Sequence, residues 1–224
     1  MNYGNLKDWI KKYLHRDELS NHIPVWLSWT HTQIQKNKFF RFQQVQFDAV
    51  NLTTSKQEYD LHSDFAVGGS TVKCKRIIHI LLEKDGDRVQ QLEKKEYPYF
   101  EEACYRYRNK KYPVVYVRWG NIIRMCPKVS EDNVYQMILF GYRDLPFYID
   151  DPTSDNGAND NKEDYLSINY PHLLIWGALL YAEPFIKDTE RARFWADFYN
   201  QHYQSYIDEE RTIALSGSTG GTLS

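Results

Sequence analysis

The chain is short of the residues that most active-site chemistry needs. It has three cysteines, Cys74, Cys104 and Cys126, and no two of them stand at C-x-x-C spacing, so no cysteine-based zinc or redox motif is encoded. The count is odd, and the first sixteen residues hold no apolar core of signal-peptide length. The three are therefore expected to be free thiols in a reducing compartment. No apolar run approaches the roughly 20 residues of a membrane span. The richest, residues 173–180, is far too short, so a soluble chain without membrane contact is expected. A charge excess is missing as well. Lys and Arg number 28 against 30 Asp and Glu, a net charge of -2, which excludes a chain that grips phosphates over most of its surface.

Recognised catalytic patterns are also missing. None of the seven histidines forms an H-x-x-x-H pair or stands near a cysteine pair,. His62 and Asp64, two apart, read first as turn residues and only second as metal ligands. There is no G-x-S-x-G elbow, and a Cys104–His79 dyad has no more support than any Cys and His would have. The acidic pairs Glu101-Glu102, Asp150-Asp151 and Glu209-Glu210 are sequence neighbours that do not face each other on a helix. The glycine-rich 217–221 stretch is followed by neither a helix nor a Lys-Ser/Thr, so it is not a P-loop. No enzyme, cofactor or metal is expected.

What the chain does have is apolar and aromatic bulk. Aromatic residues make up 16% of the chain, 18 of them Tyr, enough for a sizeable core and suited either to strands or to surfaces that become interfaces. From Leu6, Trp9, Ile10, Tyr13 and Leu14 recur at helical spacing. A second helix is expected to open at Pro24 and fade near Asn37, with Val25, Trp29 and Gln33 on one face and Trp26 and Ile34 beside it.

From Phe39 the period becomes 2. Phe40, Phe42, Val45, Phe47, Ile77, Ile80, Val89, Val115, Val117, Ile122, Met137 and Leu139 lie in short β-forming runs. Gly68-Gly69, Asp85-Gly86 and Gly120-Asn121 supply the turns. A short helix near Pro98 interrupts an otherwise antiparallel sheet or small sandwich. Residues 152–162, rich in Asp, Asn, Gly and Ser, read as a linker.

The C-terminal third returns to helical spacing. Leu166, Tyr170, Leu173, Leu174, Gly177, Leu180 and Tyr181 share a stripe that Pro184 is expected to end. Asp188 caps the next helix, in which Ala192, Trp195, Tyr199, His202 and Tyr206 form a seam. Leu173, Gly177, Ala178, Trp195 and Tyr199 are the expected helix-packing positions, because Gly177 and Ala178 admit a close neighbour. Residues 216–224 are polar and flexible by composition, and Ile213, Leu215 and Leu223 are candidate anchors for an arm that orders on a partner.

The fold expected is α+β: a helical bundle from residues 1–38 with 160–212, an inserted antiparallel β domain over 39–150, and a C-terminal arm over 213–224. One stretch, residues 105–112, interleaves Tyr with Arg106, Arg108, Lys110 and Lys111. It reads first as a charged loop or edge strand, and second as a nucleic-acid contact in a soluble binding module.

The segment from Tyr170 through Pro171, His172, Gly177 and Pro184 to Phe185, followed by Asp188, Arg191, Ala192 and Trp195 to Tyr199, resembles the C-terminal helices of tailed-phage head-to-tail connector adaptors of the tail tubular protein A type. YDLHSDF, residues 59–65, resembles that family's strand-end motif, with His62 in place of its usual proline. Residues 122–127 and 135–142 with Pro146 resemble its closing strands. The resemblance implies a structural virion protein at the head–tail interface, assembled in the host cytoplasm. It implies a closed ring of about twelve copies between the portal protein and the tail nozzle protein, with genomic DNA passing through the lumen and the C-terminal arm docking on the portal.

Overall fold

A computed structural model describes residues 1–37, 40–145, 147, 157 and 159–218. In chain order the elements are α1 (Tyr3–Leu14), a 3-10 turn (Asp17–His22), α2 (Ile23–Asn37), a second 3-10 turn (Arg41–Gln43), β1 (Gln44–Gln46), β2 (Val50–Asn51), β3 (Glu58–Asp60), β4 (Ala66–Val67), β5 (Ser70–Thr71), β6 (Cys74–Lys84), β7 (Asp87–Gln91), β8 (Glu93–Lys94) and α3 (Tyr97–Tyr107). There follow β9 (Val115–Trp119), β10 (Ile122–Cys126), β11 (Gln136–Arg143), α4 (Tyr165–Asn169), α5 (Pro171–Ile186) and α6 (Thr189–Ser218). The class is α+β. The chain divides into two compact units, Met1–Arg41 with Pro146–Ser224, and Phe42–Leu145.

In the helical unit, α5 is apolar nearly all round. Leu173, Leu174, Ile175, Trp176, Gly177, Ala178, Leu179 and Ala182 are all buried, and a helix apolar on every side must lie at the centre of its bundle. It packs against α6, α2 and α1. Each buried Leu or Ile contributes on the order of 1.5–3 kcal/mol, so this helix holds the unit together.

The stripe of α1 is Tyr3, Leu6, Ile10 and Leu14. Trp9, expected on that stripe, is 42% exposed, because the register starts three residues earlier, at Tyr3. On α2 the expected face is likewise the outer one. Ile23, Trp26, Leu27, Thr30, His31 and Ile34 are buried, while Trp29 is 50% exposed and Gln33 faces solvent.

Helix ends follow local chemistry, with three corrections. Tyr170-Pro171 splits the stripe beginning at Leu166 into α4 and α5, since the residue before proline is driven out of the helical region,. Pro184 does not end α5. Only one intrahelical donor is lost so close to the terminus, and the helix runs on to Ile186 and closes at Lys187 in the left-handed region (φ 54°). Asp188 then caps α6, its Oδ1 accepting from the Arg191 N–H at 3.1 Å. At the far end, α6 extends through residues 213–218, where a flexible arm was expected. Propagating a formed helix through Ile213, Ala214 and Leu215 costs far less than starting one.

The β unit contains one sheet ordered β1-β11-β6-β7, with β2 also pairing with β11, and a second ordered β3-β10-β9-β8. A β4–β5 ribbon completes it. The pairing is antiparallel except between β8 and β9, which run parallel, a departure from the expected all-antiparallel block. α3 lies between these two strands in the chain and supplies the crossover that parallel neighbours require.

Alternation sorts the side chains. Ile80 and Leu82, Met137 and Leu139, and Ile123 and Met125 enter one core with Phe47, Tyr59 and Phe65. Val115 and Val117, offset by one residue from Tyr116, pack instead under α3 with Phe100 and Ala103. The expected hairpins form, with positive φ at Asp85-Gly86, Gly68-Gly69 and Gly120. Phe40, expected in a strand, lies outside this unit and packs tilted against Tyr206 (ring centroids 4.8 Å).

Candidate interaction surfaces

The expected packing positions meet inside the helical unit. The backbone of α5 at Gly177 lies so close to α2 that a Cβ there would overlap the Thr30 methyl, and it would stand 3.1 Å from Tyr199 Cε2 on α6. Thr30 Oγ1 donates to the Trp26 carbonyl at 2.9 Å, leaving its methyl to face Gly177. Leu173, Ala178 and Trp195 are buried, and the Tyr199 hydroxyl is pushed up to about 12 by burial, then by Tyr203 and Tyr181. Gly177 thus meets α2 and Tyr199 of α6 within one subunit, and Leu173, Ala178 and Trp195 lie in its interior.

Sequence reading missed a buried polar link. Asp164 Oδ1 accepts from the Ser167 N–H at 2.7 Å and caps α4, while its Oδ2 lies 2.8 Å from His31 Nε2. Gln35 Nε2 sits 2.9 Å from His31 Nδ1. An amide donating to Nδ1 leaves Nε2–H to donate to the carboxylate. A single His in an apolar stripe gave no sign of a partner 133 positions away.

The surface of this unit carries large aromatic residues in two clusters. One joins α1, α5 and α6: Trp9 stacks on Tyr13 (6.0 Å), Tyr13 meets Trp176 (5.0 Å), and Trp176 meets Phe198 (5.2 Å), which packs on Phe194 (4.5 Å). Phe194 is 53% exposed. The other joins α2 to the end of α5: Trp29 meets Tyr181 (5.3 Å), and Phe185 packs on Trp26 and His22 (both 5.5 Å). Phe185 is 47% exposed.

Of the expected arm, Ile213 and Leu215 are described only as backbone in α6, and Leu223 lies outside the described residues. The last side-chain ties of α6 to its own unit include the Tyr170 hydroxyl, which donates to Glu209 (3.1 Å), and the Arg41 N–H, which donates to Glu210 (3.1 Å).

In the β unit, YDLHSDF is structural. Tyr59, Leu61 and Phe65 are core. Asp60 Oδ1 accepts from the His62 and Ser63 N–H groups (2.7 and 3.2 Å), and Asp64 Oδ2 accepts from the Asp60 N–H (2.6 Å). Both carboxylates are committed to closing the turn. Among the described residues no three His, Cys, Asp or Glu side chains gather as metal ligands.

Residues 105–107 are the last turn of α3 and 108–112 follow it, so the edge-strand reading of the basic stretch is corrected. Pro98 near the helix start and an (i, i+4) pair from Arg106 to Glu102 (2.9 Å) favour helix there,. Arg108 lies 4.6 Å over the Tyr105 ring. Lys110 and Lys111 are exposed.

The expectation of three free thiols is also corrected. Cys104 on α3 and Cys126 on β10 are paired as a disulfide, Cα atoms 5.5 Å apart. The helix is laid across β9 and β10 by Phe100 and Ala103, and that brings the two together. Cys74 alone is free and buried, its thiol pushed up to about 11 by burial. Beside α3, Tyr97, Trp119, Val117 and Ile122 line an open groove of about 350 Å³ with Glu58 and Arg124.

Residues 1–220 match the sequence model of the SU10 adaptor proteins. The chain belongs to the SU10 adaptor protein family. It is thus a phage adaptor, a structural component of the virion that contacts other virion proteins, in a family that is generally non-enzymatic. No curated protein matches this adaptor. Among its described residues no helix is long and apolar enough to cross a membrane.

Proposed function

We propose that this adaptor is the ring subunit that joins the portal to the tail nozzle of a short-tailed phage, in the manner of tail tubular protein A, and forms part of the DNA passage. The observation that carries the reading is the family match over residues 1–220. The mechanism is mechanical. The helical unit, held rigid by α5, builds the ring body of about twelve copies, closed by repeating one contact. The β unit offers its surface to the nozzle protein. The end of α6 and the residues after it, with Ile213, Leu215 and Leu223, dock on the portal and add contacts there. A net charge of -2 suits a channel wall that lets genomic DNA slide rather than holding it. Assembly in the host cytoplasm precedes incorporation at the head–tail interface.

Electron microscopy of the purified chain, alone and with the portal protein of its phage, tests this. Rings coaxial with the portal are expected, and deletion of residues 216–224 should weaken docking. Failure of the full chain to form rings or to bind portal would remove the reading.

A further inference from the structure

From Asn21 to Gln35 the chain has no Asp, Glu, Lys or Arg, although 26% of all residues are charged. Yet α2 is only half buried, and its outer side shows Trp29, Thr32 and Gln33 to solvent. An exposed helix face has every reason to carry charge unless it is covered, and a charge-poor, aromatic composition marks the centre of protein interfaces. Trp29, Tyr181 and Phe185 extend this face onto α5.

The Trp9–Phe194 cluster is unlike the Trp29–Phe185 one. Trp9 carries Lys12 Nζ 5.2 Å over its ring, and Arg191 lies 5.1 Å over Trp195 beside it. Its α5 member is Trp176, nine residues before Phe185. At about 100° per residue the two lie on opposite sides of α5. One subunit therefore presents two dissimilar aromatic faces pointing away from each other, one poor in charge with Lys36 at its edge, and one flanked by Lys12 and Arg191, which lie over rings of their own subunit,. A foreign partner would need only one of them, and a two-fold dimer would use one face twice. Two unlike, opposed faces are what head-to-tail association requires.

Resting on the ring reading above, we infer that the Trp29–Phe185 face of one copy receives the Trp9–Phe194 face of the next copy, and that this contact repeats around the ring.

The test uses the full chain with Trp29→Arg and Phe194→Arg, each checked for an unchanged circular dichroism spectrum, with Trp29→Gln as a milder companion. Mass photometry follows assembly with and without portal protein. Each Arg variant should need at least a tenfold higher concentration to form rings. A mixture of the two Arg variants should stop at one-to-one pairs, because Trp29→Arg retains one intact face and Phe194→Arg the other. Rings from either variant at wild-type concentrations would overturn the pairing and leave the adaptor reading standing. A mixture that forms no pairs would also overturn the pairing. Wild-type chain that forms no rings even with portal would overturn both.

Discussion

His31 on α2 and Asp164 at the start of α4 share a 2.8 Å hydrogen bond in the interior of the helical unit, although they stand 133 positions apart in the chain. The carboxylate does two things at once, since its other oxygen caps α4. Asp164→Ala removes a cap worth about 1 kcal/mol and takes away the carboxylate bonded to the His31 imidazole in the interior, a further cost of about 1–3 kcal/mol. The denaturant midpoint should fall correspondingly with an unchanged slope. A variant as stable as wild type would show that the link is incidental.

Gly177 tests the packing of α5. Elsewhere in a helix interior Gly→Ala is stabilising by up to about 1 kcal/mol. Here the added methyl collides with Thr30 and crowds Tyr199, so Gly177→Ala should instead destabilise by about 1–3 kcal/mol. Thr30→Ser removes the colliding methyl while keeping the hydroxyl that bonds the Trp26 carbonyl. The double variant should recover part of the loss in a thermal melt, and strict additivity of the two changes would sink this account.

Periodicity made the helices, hairpins and much of the core legible, because burial of Leu173, Ile80 or Met137 repeats at the spacing of its own element. It placed Gly177 as a close-approach residue for the same reason. The outward turn of Trp9 and Trp29 was not legible, since helical spacing names a stripe without saying which of two neighbouring stripes meets the core. Nor were His31–Asp164 and the Cys104–Cys126 pair, which depend on how distant segments pack. The informative signal passed over in the sequence was an absence, the lack of Asp, Glu, Lys and Arg from Asn21 to Gln35.

His202 and His172 stack with ring centroids 5.3 Å apart, and the imidazole of His202 is held below its ordinary value of 6.5 by burial and then by His172. A depressed histidine is favoured neutral in the fold. Well above 6.5 neither state binds the proton. As pH falls through 6.5 the unfolded chain takes it up first, so stability declines until the folded value is passed. His79, depressed by burial and Arg88, adds a similar slope of its own. Between about pH 7.5 and 5.5 the thermal midpoint of wild type should therefore drop further than that of His202→Gln. Equal drops would remove His202 from the account.

The basic stretch at the end of α3 offers little cationic charge to a phosphate backbone. Arg106 is already paired with Glu102, Glu101 engages Arg124 at 3.3 Å, and Arg108 is laid over Tyr105. Arg108, Lys110 and Lys111 are exposed with their charge not offset by any ion pair among the described residues, too few for a stable grip when each phosphate contact accounts for about one released counterion. The chain is expected to give no gel shift with short duplex or single-stranded DNA at low salt, and the Arg106→Ala, Arg108→Ala double variant should behave identically. A salt-dependent complex that the double variant loses would favour a nucleic-acid-binding module and would make this stretch, rather than the aromatic faces of the helical unit, the functional surface of the chain.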